Sequence, residues 1–304
     1  MLNLNITSET GRLRAVVLGT AVSNGPTPEL AEAYDPKSAE HIQAGTYPVE
    51  EDMVREIEAV AAVLKKYNVK VFRPQIIEDY NQIFTRDIAF VIEDKFIKAN
   101  ILPNRDEEIE AISNVIDQFD PKKIIYLPEE AHAEGGDIMP YKNYIFVGTY
   151  DGKDYKDLIT ARTNIAAVEA LQLMFPHKSV KSFSLRKSNT IAKDNALHLD
   201  CCFQPVGKDK AIIYKDGFLY EEDYNWLVNL FGRENVFEIT RNEMYDMNSN
   251  IFSISEDVVI SEKGFTRLNQ WLREQNIIVE EVPYAEISKQ EGLLRCSTLP
   301  LIRD

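Results

Sequence analysis

Short apolar runs recur in pairs along this chain. Each pair is broken by a polar turn and followed by an amphipathic stretch. Residues 88–92 and 96–99 flank Glu93-Asp94-Lys95, and residues 137–139 and 144–147 flank a turn around Tyr141-Lys142-Asn143. Residues 197–206 and 211–214 flank Gly207-Lys208-Asp209-Lys210, and residues 250–254 and 258–260 flank Ser255-Glu256-Asp257. β-rich runs separated by turn formers predict hairpins. The period then changes. Helices are predicted at 50–67, 105–119, 159–175, 221–231 and 266–275; in the first, Met53, Ile57, Val60, Ala61 and Leu64 share one face. A further strand is predicted after each, at 69–72, 124–126, 179–183, 236–239 and 277–282. The spacing of about 45–60 residues between successive helix–strand pairs marks an α/β repeat architecture. The first unit takes its hairpin from residues 13–19 and the C-terminal 299–303, which hides sheet edges by joining the two chain ends.

One segment breaks the pattern. Residues 20–47 carry Gly25-Pro26, Pro28, Pro36 and Gly45 and form the longest irregular region, read as a lid or a surface insertion. No other linker divides the 304 residues, so a single domain over 1–304 is expected.

Charge narrows the partners. The net charge of -15 disfavours nucleic acid and mildly favours a cationic ligand. No run approaches the roughly 18 apolar residues of a membrane span, and Met1-Leu2-Asn3-Leu4-Asn5 lacks a basic region followed by an apolar run. The expectation is therefore no membrane contact, no signal peptide and a cytoplasmic address. A homo-oligomer is compatible with the sequence, which does not fix the oligomeric state. Three cysteines, Cys201, Cys202 and Cys296, make no disulfide framework. Four scattered histidines and the lack of a CxxC predict no metal site.

The polar residues that stand out occupy corresponding places. Arg86-Asp87 precedes one hairpin, Glu134-Gly135-Gly136-Asp137 opens the next, and His198-Leu199-Asp200 opens the third. Met247-Asn248 precedes the fourth, and Arg295-Cys296 precedes the last strand. If the repeats are related by rotation, these clusters converge at one end of a central axis. Alone, Asp87 reads as a turn cap, Glu134 as a loop acid, His198 as a core histidine and Cys296 as a small buried hydrophobe. Cys201 and Cys202 read as strand residues. The shared register argues for a pocket instead, with Gly135 and Gly136 allowing close backbone approach. A cysteine acts as thiolate and a histidine exchanges protons near neutral pH. Carboxylates beside them would raise the thiol pKa, unless the substrate is itself a cation. A guanidinium is planar, permanently charged and matched to paired carboxylate bonds. This set points to a guanidinium carbon as the electrophile.

In these motifs the chain resembles the guanidino-group-modifying superfamily of arginine deiminases, dimethylarginine dimethylaminohydrolases and amidinotransferases. The likeness runs from Ser8-Glu9-Thr10-Gly11-Arg12-Leu13 to Arg295-Cys296-Ser297-Thr298-Leu299-Pro300-Leu301-Ile302-Arg303. It implies a five-bladed α/β propeller, the pentein fold, of pseudo-fivefold ββαβ repeats. It implies Cys296 as nucleophile, His198 as general acid/base and Glu134 as the acid that supports His198 and binds guanidinium nitrogen. Asp87 and Asp200 are implied guanidinium ligands, Arg162 a ligand of the substrate α-carboxylate and Asn248 a pocket asparagine. Arg86 and Arg295, beside them, are further candidates for substrate contact. Neither metal nor organic cofactor is implied. Amidinotransferases usually carry aspartate in place of Glu134 and histidine in place of Arg295. Dimethylarginine hydrolases usually lack the His198-x-Asp200 pair. The expectation is a deiminase-type hydrolase giving a ureido product and ammonia. An amidinotransferase is the alternative, and a non-catalytic pentein binding module, as in ribosome anti-association factors, a second. The chain is shorter than typical arginine deiminases, with no room for their helical domain between Ala89 and Glu134.

Overall fold

The computed structural model describes residues 1–152 and 156–304. Its strands are β1 (Leu13–Leu18), β2 (Lys70–Phe72), β3 (Ala89–Ile92), β4 (Lys95–Lys98), β5 (Ile124–Tyr126), β6 (Ile138–Tyr141), β7 (Tyr144–Thr149) and β8 (Ser179–Ser184). They continue with β9 (Phe203–Val206), β10 (Lys210–Ile213), β11 (Val236–Glu238), β12 (Phe252–Ser255), β13 (Val258–Glu262), β14 (Ile278–Val282) and β15 (Thr298–Arg303). Among the described residues they form five three-stranded sheets: β15-β1-β2, β3-β4-β5, β6-β7-β8, β9-β10-β11 and β12-β13-β14. In every sheet the middle strand pairs antiparallel with its hairpin partner and parallel with the strand that follows a helix. This is the α/β pentein architecture of ββαβ units. The first sheet is completed by the C-terminal strand, with Val16 opposite Pro300 and Val17 opposite Leu299.

Turn chemistry sets the hairpins. Lys142 and Asp209 adopt left-handed φ values of 51° and 57° between their strands, a conformation confined to tight turns. Three of the strands that open a hairpin, β3, β6 and β9, are buried throughout. Phe146 on β7 meets Phe183, Phe203 and Trp226 edge to face at centroid distances of 5.6, 5.8 and 5.9 Å. That aromatic cluster joins the third and fourth sheets.

Several predicted bounds change. The helix expected at 105–119 is broken into Asp106–Glu110 and Ser113–Ile116. The one expected at 159–175 begins at Ile165, because Asn164 accepts a hydrogen bond from the Ala167 amide and caps it there. The strand expected at 197–206 begins at Phe203, since residues Leu199–Cys201 form a 3-10 turn. The region 20–47 is not wholly irregular. It holds the helix Pro36–Gln43, capped by Asp35, whose carboxylate accepts from the Ser38 amide at 2.6 Å. No helix among the described residues is long and apolar enough to cross a membrane.

Candidate active site

Each blade delivers its chemistry from the turn that enters the first strand of a hairpin. Asp87 lies in the helical turn Thr85–Ile88 before β3, Glu134 before the 3-10 turn Gly135–Asp137, and His198 before the turn Leu199–Cys201. Cys296 lies just before β15. Hydrogen bonds stitch these turns together: the Arg86 amide donates to the Cys296 carbonyl at 2.9 Å, and the Leu199 amide donates to Asp137 Oδ1 at 2.8 Å. The Glu134 loop approaches closely because it carries glycines. A Cβ on Gly135 would lie 2.0 Å from the Arg86 carbonyl oxygen, and one on Gly136 would lie 2.7 Å from His198 Cγ and Nδ1.

A cavity of about 750 Å³ opens over this junction. Asp87, Arg105, Arg162, His198 and Cys296 line it, together with Asn24, Tyr34, Asp35 and Tyr47 of the 20–47 region. A larger depression of about 1060 Å³ around Asn100, Glu107 and Glu130 contains none of the cysteines.

His198 is 1% exposed and Nε2 stands 2.8 Å from Glu134 Oε2, while Nδ1 stands 3.8 Å from Asp87 Oδ1. Burial opposes its protonation, but the Asp87 charge and the Glu134 bond outweigh burial and raise its pKa to about 9. Glu134 is pulled the other way. Burial would raise its pKa, yet Arg162 and the histidine hold it well below the carboxylate range. Arg162 Nη1 lies 3.1 Å from Glu134 Oε2 and Nη2 donates to the Tyr34 carbonyl at 2.7 Å.

Cys296 is buried, and burial together with Asp200 and Asp87 pushes its thiol well above the ordinary range. Sγ lies 3.7 Å from Asp200 Oδ2. Asn250 counteracts this: its Nδ2 donates to Sγ at 3.1 Å, while its Oδ1 accepts from the Cys296 and Arg295 amides at 3.2 and 2.9 Å. A donor aimed at sulfur favours the thiolate. A cation arriving between Asp87 and the sulfur would favour it further.

Asp87 Oδ2 accepts from Arg105 Nη1 at 2.9 Å, whereas Oδ1 is buried without a hydrogen-bond partner. Such an orphaned acceptor costs roughly 1–3 kcal/mol unless a ligand satisfies it. Asp87, Glu134 and His198 also place ligand atoms within 4.8 Å of one another. A divalent ion there would have to break the His198–Glu134 bond and compete with Arg105 and Arg162 for both carboxylates. A planar cation that only needs Asp87 Oδ1 fits the donor set better.

Sequence-derived candidates part company here. Cys296, His198, Asp87 and Glu134 come together, and Asp200 joins them under the thiol. Arg162 reaches the cavity but grips Glu134. Arg295 is fully buried and bonded to Glu9, Asp200 and backbone carbonyls, so it makes no cavity wall. Arg86 is likewise buried, its Nε donating to the Arg295 carbonyl at 3.3 Å. Asn248 lines a separate depression with Glu243 and Phe265. The asparagine at the thiol is Asn250, two residues on. Arg105 and Tyr34 escaped the sequence reading. Arg105 stands three residues before Glu108, a spacing that on a helix reads as an ordinary surface pair.

Residues 33–303 match the family model described as N,N dimethylarginine dimethylhydrolase, eukaryotic. The chain is 30% identical over 243 residues to the uncharacterized protein YkgA of Bacillus subtilis (strain 168), covering 79% of this chain and 77% of that one. Among solved structures it is similar to an amidinotransferase of saxitoxin biosynthesis from Microseira wollei, at a TM-score of 0.75, 16% identity and coverage of 99% and 97%. It is similar to the N-terminal domain of the cyanobacterial arginine dihydrolase ArgZ bound to product, at 0.76, 16%, and 95% and 97%. It is also similar to DDAH from Pseudomonas aeruginosa complexed with citrulline, at 0.70, 16%, and 95% and 100%. At these identities the structural likeness establishes the fold.

Proposed function

Because this chain belongs to the N,N-dimethylarginine dimethylhydrolase family of guanidino-group-modifying enzymes, we propose that it is a cysteine-dependent hydrolase that cleaves a C–N bond in the guanidinium of arginine or a close arginine derivative. In this reading residues 1–304 act as one catalytic unit. The observation that carries it is Asp87 Oδ1, a buried acceptor without a hydrogen-bond partner on the cavity wall that also bears Cys296 and His198.

The substrate guanidinium donates to Asp87 Oδ1, and its central carbon meets the sulfur. Its positive charge offsets Asp87 and Asp200, so once substrate is bound the thiol releases its proton to the solvent of the open cavity, His198 being already protonated. Cys296 forms the S–C bond of a tetrahedral intermediate. His198, held as imidazolium by Glu134 and Asp87, passes its proton to the departing nitrogen as the C–N bond breaks. A covalent S-alkylthiouronium remains. His198, now neutral, takes one proton from water as its oxygen bonds to the same carbon; the S–C bond then breaks and the remaining hydroxyl proton passes to the sulfur, giving the ureido product and the free thiol. Arg162 and Arg105 are the cavity cations available to a substrate carboxylate.

The family match gives methylated arginines a specific claim. Against it, methylation removes N–H donors that Asp87 and Asp200 would accept. The test offers purified protein L-arginine, agmatine, guanidinoacetate and methylated arginines, each with and without glycine or ornithine. Ammonia and a ureido product independent of added amine support the proposal. Methylamine release in place of ammonia moves the substrate to methylated arginine. A new guanidino compound formed only with the amine overturns hydrolysis in favour of amidino transfer. The absence of both turnover and thiol alkylation revives the binding-module reading.

A further inference from the structure

Arg295 is a buried hub beneath the site. Its Nε and Nη2 lie 3.1 Å from Glu9 Oε2 and Oε1, and Nη1 lies 2.8 Å from Asp200 Oδ2. Nη1 also donates to the Gly136 carbonyl at 3.2 Å, and Nη2 to the Ile138 carbonyl at 2.8 Å. One side chain thus ties the N-terminal segment, the loop carrying Glu134 and the turn carrying His198 to the residue before the nucleophile. Only a guanidinium can serve so many acceptors in fixed geometry. The Asp200 oxygen that it grips is the same atom that lies 3.7 Å from Cys296 Sγ.

We infer that Arg295, held between Glu9 and Asp200, is a positioning residue that sets the reactivity of the Cys296 thiol. The inference rests on the reading of Cys296 as nucleophile. Asp200 brings a negative charge against the sulfur, Arg295 offsets that charge, and Glu9 offsets Arg295 in turn. Glu9 itself is held down to about 2, because Arg295 and Arg86 outweigh its burial. Further charged or titratable groups around this pair include Arg86 and Arg303 beside Arg295, and Asp87, Cys201 and Tyr284 beside Cys296, with His198 lining the same cavity. The chain of alternating charge fixes the sign of each change. Neutralising Glu9 leaves Arg295 less compensated and the thiolate favoured. A lysine at 295 keeps one charge but cannot span both carboxylates, so Asp200 is less offset and the thiolate disfavoured.

The test is the pH dependence of Cys296 alkylation by iodoacetamide, followed on the Cys296 peptide by mass spectrometry, in wild type, Glu9→Gln and Arg295→Lys. The expected result is an alkylation midpoint about half a unit lower in Glu9→Gln, or about threefold faster reaction at a fixed pH below it, and a shift of similar size upward in Arg295→Lys. Midpoints that stay put, or move together, in variants with wild-type circular dichroism overturn the inference. If Arg295→Lys fails to fold, the direction of the Glu9→Gln shift decides alone. Wild-type turnover of guanidino compounds is measured in parallel. If it is absent, the functional reading fails while the alkylation comparison still decides this one.

Discussion

His198 Nε2 stands 2.8 Å from Glu134 Oε2, with both side chains buried. The pair makes the histidine a proton donor well above neutrality. Its pKa of about 9, reached because Asp87 and Glu134 outweigh burial, predicts that kcat/KM falls as the pH rises through about 9. Glu134→Gln should bring that limb down by about 1–2 units, alongside a loss of activity. Steady-state rates from pH 6 to about 10.5 check it.

The same shifts govern stability. The folded pKa of His198 lies above the ordinary histidine value of 6.5. Its stabilising contribution is fully present below 6.5 and is lost as the pH rises through about 9. Glu134 is shifted downward, so its contribution is present above the usual carboxylate range and is lost as the pH falls through its depressed value. Urea midpoints measured across pH should therefore decline on both sides of a neutral plateau. In Glu134→Gln the alkaline decline should begin at lower pH.

Asp87→Asn replaces the orphaned acceptor with a neutral one. A charge-assisted bond to the guanidinium is lost, which should raise KM by about 10–100-fold. An unchanged KM would mean that Asp87 Oδ1 does not receive the substrate.

Gly136→Ala tests the packing behind the histidine. The added methyl would stand 2.7 Å from His198 Cγ and Nδ1, so the ring must move. The fold should lose only about 1–3 kcal/mol. The displaced ring should cost kcat about 10²-fold. Denaturant titration and turnover together separate the two effects.

The blade pattern was legible because each hairpin carries its turn formers and each strand alternates with a helix of clear period. Cys296, His198, Asp87 and Glu134 stand out in the sequence by their common register at hairpin entries, and the structure brings the four together. Other features resisted for physical reasons. Asn164 and Asp35 do carry cap chemistry in the sequence, but the apolar positions before Ile165 and the prolines around Pro36 obscured it. Asn250 and Asn248 are equally plausible by spacing. The left-handed backbone at Met247, φ 68°, belongs to the turn that brings the later asparagine to the sulfur. Arg295 stood beside the cysteine in sequence and so looked like a pocket residue. Its actual partners, Glu9 and Asp200, lie 286 and 95 residues away, and only the packing of separate blades brings them together.

Phe146 bears on the scaffold rather than the chemistry. Fully buried among Phe183, Phe203 and Trp226, it should cost about 3–5 kcal/mol when replaced by alanine, read by urea denaturation. Turnover per folded molecule should be retained.

The covalent intermediate is the most direct test of the mechanism. Protein mixed with L-arginine or a methylated arginine is quenched in acid during turnover, and the Cys296 peptide is weighed. The account predicts an alkylthiouronium adduct on Cys296, absent from Cys296→Ala, which should form no product. Product released by Cys296→Ala, or an adduct carried by Cys201 or Cys202 instead, would contradict it.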